Sequence, residues 1–102
     1  MEEHIAVKLN KAIHQKARLG IMSILMASEE GEFNYIKEKL KLTDGNLSSH
    51  LSILEKNKYV TIKKKFFKKK PKTLCRITEK GRQAFEEYLE NLEKIIRSVP
   101  KD

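Results

Sequence analysis

The chain has 102 residues, with 22 Lys and Arg against 14 Asp and Glu, which leaves a formal net charge of +8. That length suits one domain with a lean core, since 39% of residues are hydrophobic and 35% charged. No stretch approaches the ~20 apolar residues that a membrane-spanning helix needs, and no apolar run follows a basic start as in a signal peptide. A single cysteine, Cys75, excludes an internal disulfide and points to a reducing, cytoplasmic setting. It stands apart from His4, His14 and His50, which are themselves scattered singly, so no metal site is expected. A glycine-rich phosphate loop, a nucleophile with a base at motif spacing and a histidine cluster are all missing. The chain therefore reads as a non-enzyme without a cofactor.

In chain order, residues 1–13 carry Ile5, Leu9, Ala12 and Ile13 at helical spacing. From Lys16 to Ala27 the chain is apolar nearly all round, which predicts a central helix surrounded by other elements. The stretch Ser28 to Glu32 should break it, with Gly31 as the turn residue. Asn34 then reads as the N-cap of a short helix to about Lys41, with Tyr35, Ile36 and Leu40 inward. Thr43 caps the next helix, to about Asn57, whose inward stripe is Leu47, Leu51 and Leu54 with Ile53 beside it. Its other faces hold Asn46, Ser48, Ser49, His50 and Ser52, a surface of small, uncharged hydrogen-bonding groups. Ordinary solvent faces in this chain are Lys and Glu instead.

Tyr59 to Phe66 and Leu74 to Thr78 alternate as strands, with Val60, Ile62, Cys75 and Ile77 inward, and pair as a hairpin. Cys75 is then a small buried hydrophobe. Between the strands the chain reads KKKFFKKKPK from Lys63 to Lys72, seven lysines in ten residues. Without them the net charge falls from +8 to +1, so the positive charge is concentrated in one hairpin tip. Such a tip fits a polyanion, with nucleic acid the leading candidate. One of its two phenylalanines is expected to pack back on the domain. Thr78 caps a long last helix with the stripe Phe85, Tyr88, Leu89, Leu92, Ile95, Ile96 and Val99, ending before Pro100.

Three segments, HQKARLGIMSIL, LKLTDGNLSSHLSILEKNKYV and LCRITEKGRQAF, resemble the winged helix-turn-helix regulators near the MarR and ArsR families. The resemblance spans most of Ile13 to Phe85 and is most specific in the middle segment. It implies a mainly α fold with a small β-hairpin wing. Residues 1–102 would form one DNA-binding domain, with a core over 14–80 and dimerisation helices over 1–13 and 81–99. It implies a transcriptional regulator, expected to be a repressor, acting as a homodimer on double-stranded DNA.

Asp44, Asn46, Ser48, Ser49 and His50 match the exposed positions of a recognition helix, and Thr43 and Ser52 are expected to contact DNA beside them. The small side chains at Gly45, Ser48 and Ser49 would let the helix backbone approach the major groove closely. Lys63, Lys64, Lys65, Lys68, Lys69, Lys70 and Lys72 would contact phosphates. Ile5, Leu9, Phe85, Tyr88, Leu89, Leu92, Ile95 and Ile96 would form the dimer interface. The wing departs from the MarR pattern, which places an acidic residue shortly before an arginine, and this favours phosphate contact over arginine readout of the minor groove. The paired cysteines of founding ArsR sensors are absent. Two other readings use the same fold: an architectural protein that coats DNA with little sequence preference, and a protein-interaction module. The small-molecule effector is unknown from sequence, and no membrane partner is implied.

Overall fold

The computed structural model describes residues 3–101. Its N-terminal segment is not the α-helix expected over residues 1–13, of which 1 and 2 lie outside the described residues. A single 3-10 turn covers Ile5–Lys8, and Leu9 is extended. The cause is Asn10, whose Oδ1 accepts from the N–H groups of Ala12 (2.9 Å) and Ile13 (3.3 Å). A side chain that takes backbone donors in this way competes with helix formation. Ile13 is nevertheless fully buried, and Leu9 and Ala12 pack against the core.

Helix α1 (Lys16–Ser28) starts at Gln15, whose side chain accepts from the Arg18 N–H at 2.9 Å. It buries Ala17, Ile21, Met22 and Leu25. The chain reverses at Glu29, with φ of 66°, and not at Gly31. Gly31 lies inside a short strand, β1 (Glu30–Glu32), where a turn alone was expected. A Cβ there would stand 3.2 Å from the Ile36 side chain, so the missing side chain lets this strand lie close on the core. Helix α2 (Phe33–Leu40) has Glu32 as N-cap, two residues before the expected cap Asn34. Asn34 is thus an exposed helical residue, and Tyr35 points to solvent while Ile36 is buried. Lys41, left-handed at φ of 54°, ends the helix.

Helix α3 (Asp44–Lys56) starts where expected, with Thr43 Oγ1 accepting from the Asn46 N–H at 3.1 Å. Leu47, Leu51 and Leu54 are buried beneath it. Strands β2 (Val60–Phe67) and β3 (Lys70–Ile77) are longer than expected and run to a two-residue turn. Lys68 and Lys69 form that turn with φ of 50° and 65°, the left-handed pair that a type I′ hairpin turn requires. Most of the lysine cluster is therefore strand, with only two residues of loop. The sheet is antiparallel in the order β1-β3-β2, and Glu30, Gly31 and Glu32 pair with Arg76, Cys75 and Leu74.

Helix α4 (Glu79–Ser98) is capped as expected by Thr78, whose Oγ1 accepts from the Gly81 N–H at 2.9 Å and whose hydroxyl donates to the Lys58 carbonyl at 2.7 Å. The expected fold class holds: four helices and a small antiparallel sheet, with α3 beside the hairpin. One core, from Ile13 to Tyr88, joins all four helices to the sheet.

Candidate nucleic-acid interface

The leucines beneath α3 decide which of its side chains face outward. Asp44, Gly45, Asn46, Ser48, Ser49 and Ser52 are all exposed. No atom lies within 4 Å of where a Cβ on Gly45 would stand, so the first turn presents nearly bare backbone to the exterior. The unpaired N–H groups of a helix start suit anionic oxygens. Thr43 is less available than the sequence suggests, because its hydroxyl already serves as the cap. Asp44 would repel a polyanion, but its carboxylate is 2.7 Å from Lys37 Nζ on α2.

His50 differs from its neighbours. It is half-buried, and its Nδ1 sits 3.0 Å from Arg18 Nη1, while Arg18 Nε donates to the Ala12 carbonyl at 2.6 Å. Burial, with the Arg18 charge second, holds the His50 pKa below its usual value. The ring is neutral, and since guanidinium only donates, Nδ1 is its acceptor and the proton resides on Nε2. With Nδ1 engaged by Arg18, His50 can offer one donor, Nε2–H, and no free acceptor. Arg18 ties α1 to α3 across 32 residues of sequence, a partnership without a sequence signal.

The hairpin extends beside α3. Ile62, Lys64 and Thr73 border the same groove as Asp44, Ser48 and Ser52. Lys63 and Lys65 lie on the opposite face with Leu74 and Arg76. The seven lysines thus divide between two faces and a tip. Lys72 is compensated, with its Nζ 3.0 Å from Glu32 Oε1. Among the described residues the other six make no ion pair. Neither phenylalanine packs back on the domain, contrary to expectation: Phe66 is 79% exposed and Phe67 62%. The register explains this, because pairing of Phe66 with Pro71 and of Phe67 with Lys70 carries both beyond the reach of the core. Lys68 Nζ lies 5.6 Å from the Phe67 ring centroid.

The residues expected at a dimer interface also separate into two groups. Phe85 is 4% exposed and Tyr88 1%, so both belong to the domain's own core, and the Tyr88 hydroxyl meets His14 Nδ1 at 2.8 Å. Leu89 and Ile96 are exposed, joined by Val99 and by Val7 of the N-terminal segment, and Leu92 and Ile95 are half-buried. Ile5 and Leu9 are half-buried against the domain. Cys75 is buried, and its thiol is pushed up to about 11 by desolvation and then by Glu55, so it stays protonated. Among the described residues no helix is long and apolar enough to cross a membrane, and no three His, Cys, Asp or Glu side chains gather as a metal site.

Comparison with known proteins agrees with this architecture. The chain is 42% identical over 89 residues to an uncharacterized protein of Methanocaldococcus jannaschii, spanning 87% of this chain and 97% of that one. A transcriptional regulator homologue from Pyrococcus horikoshii OT3 superposes with a TM-score of 0.89 at 32% identity, covering 99% of this chain and 100% of the other. Reduced AbfR, solved bound to DNA, shares the fold at a TM-score of 0.63 and 21% identity, over 82% of this chain and 58% of AbfR. The family model for the winged helix DNA-binding domain matches residues 17–96. With most of its length matched in this way, the chain belongs to the winged helix DNA-binding domain family.

Proposed function

We propose that the chain is a cytoplasmic, sequence-selective regulator of transcription, a repressor that binds double-stranded DNA as a homodimer. Residues 1–102 act as one domain, with α3 in the major groove and the lysine hairpin on the phosphates. The observation that carries this reading is the adjacency of two unlike surfaces. The small polar face of α3, with Asn46, Ser48, Ser49 and Ser52, borders one groove with the hairpin that holds six lysines lacking an ion pair among the described residues. Base edges need the first surface and phosphates the second. The DNA-bound state of AbfR, a protein of the same fold, supports the choice of partner. The exposed part of the α4 stripe, Leu89 and Ile96 with half-buried Leu92 and Ile95, supports pairing across a two-fold axis.

The test is selection from random duplex DNA with purified protein at near-physiological salt. Enrichment of an inverted repeat with half-sites one turn apart, roughly 34–36 Å, is the expected result. Salt-sensitive binding without an enriched motif favours the architectural reading, which the six lysines by themselves would satisfy. An absence of DNA affinity even at low salt removes both.

A further inference from the structure

We infer that Phe66 is an apolar wedge: the wing enters the minor groove next to the major groove occupied by α3 and partly unstacks a base step there. This rests on the DNA-docking reading above and adds a deformation of the DNA to it.

Phe66 is the most exposed large apolar side chain among the described residues, at 79%. Alternation along β2 puts it on the same face as Val60, Ile62 and Lys64, the face that borders α3. Its cross-strand neighbour is Pro71, so the two apolar groups stand together near the tip. Phe67 alternates to the other face, where it is less exposed and Lys68 Nζ lies 5.6 Å from its ring centroid. An exposed phenylalanine beside a proline, with Lys64 on its own face and Lys68 and Lys69 at the tip, combines the two parts such a site needs. Phenylalanine and proline are among the side chains that open base steps from the minor groove, and the lysines meet the phosphates on either rim.

The reach fits as well. Ile62 is level with Ser48 and Ser52 in the groove beside α3. Phe66 lies four residues further out, roughly 13 Å at strand rise. Because the hairpin starts beside α3, Phe66 is carried outward from the groove by about that distance. Half a turn of B-DNA, the offset between neighbouring major and minor grooves, is about 17 Å.

Opening a base step bends the duplex toward the major groove, by about 20–90° for wedges of this kind. Flexible pyrimidine–purine steps bend most readily, so Phe66 confers a preference for such steps at positions α3 does not touch.

The experiment uses the full chain and a 40-base-pair mixed-sequence duplex at low salt, with dyes at both ends to report bending and 2-aminopurine at successive positions to report unstacking. Binding is measured on the same samples by anisotropy. Wild type should shorten the end-to-end distance and brighten 2-aminopurine at one flanking step. Phe66→Ala should lose both signals while binding with the same salt slope, Phe66→Leu should keep them, and Phe67→Ala should leave them unchanged. Retention of the bend by Phe66→Ala, or its equal loss in Phe67→Ala, overturns the inference. So does a straight duplex at saturating wild-type protein, whereas an unbound duplex shows that the docking reading itself has failed. Wild type and Phe66→Ala are also compared on vesicles of phosphatidylserine and phosphatidylcholine. If Phe66→Ala loses vesicle binding and leaves DNA bending intact, the aromatic serves a lipid surface and the wedge is refuted.

Discussion

Replacing Gly45 with Ala should make the protein more stable and a poorer DNA binder. Gly45 is the second residue of α3, and no described glycine has a positive φ, so Ala fits the backbone without strain. The new methyl meets nothing within 4 Å, so the folded domain incurs no packing cost. Ala exceeds Gly by about 1 kcal/mol within a helix, and roughly half of that is a fair figure for a first turn. For a domain of this size, ~0.5 kcal/mol raises Tm by about 2–4 °C. If the first turn of α3 presses against DNA, the same methyl enters a packed interface, where overpacking costs about 1–3 kcal/mol. That corresponds to a loss of affinity from several-fold to about 100-fold. Thermal melting by circular dichroism and anisotropy titration on the selected duplex measure the two halves. A higher Tm with unchanged affinity would show that this turn does not face the DNA. A lower Tm would refute the reading of Gly45 as an unstrained helical residue.

Gly81→Ala should go the other way: its Cβ would collide with the Tyr59 carbonyl and stand 3.0 Å from Ile77 Cγ1, so a loss of about 1–3 kcal/mol is expected in denaturant titration despite the better helix former. Combined replacement of Lys68, Lys69 and Lys70 by Ala should weaken binding to every sequence and flatten the log–log salt slope by about 2.7 per wing, at ~0.9 per phosphate contact. Lys72→Ala should flatten it less, because Glu32 already compensates that charge. His50 should titrate below 6.5 by NMR, and Arg18→Gln should raise its pKa toward that value by removing one of the two causes of the shift. With the folded pKa below the unfolded one, the unfolded chain takes up the proton first. The His50 contribution to stability is thus complete above about pH 6.5 and declines as pH falls through the window below it, a window Arg18→Gln should narrow.

Where structure follows from neighbouring residues, the sequence was readable. Thr43 and Thr78 cap their helices through bonds three residues long, and the Leu47, Leu51 and Leu54 stripe places the polar face of α3 outward. Distant partners decide the rest. β1 has the sequence Glu-Gly-Glu, without strand propensity, and exists because the edge of β3 is there to pair with it. The N-terminal segment has helical spacing of apolar residues, but Asn10 Oδ1 captures the donors a helix would use. Lysines on both faces of the hairpin mask the strand alternation, which hid how far the wing extends. The α4 stripe is continuous in sequence, yet only the fold separates Phe85 and Tyr88, taken by the core, from Leu89 and Ile96, left outside. For His50, the Arg18 side chain that engages its Nδ1 lies 32 residues away.

The wing is also a lever, with β1 as its stop. Eight strand residues reach roughly 27 Å from base to tip, so a rotation of only 5° at the base displaces the tip by ~2 Å. That rotation is resisted by the burial of Val60, Cys75 and Ile77 in the core and, on the outer edge, by the three-residue pairing of β1 with β3, reinforced by Lys72 on Glu32 and by Arg76 on Glu29 and Glu30. These ion pairs are partly exposed and individually weak, so on that edge the backbone pairing contributes more than they do. The angle between wing and α3, and with it the spacing between the two grooves that the proposed docking would address, therefore depends in part on a strand only three residues long.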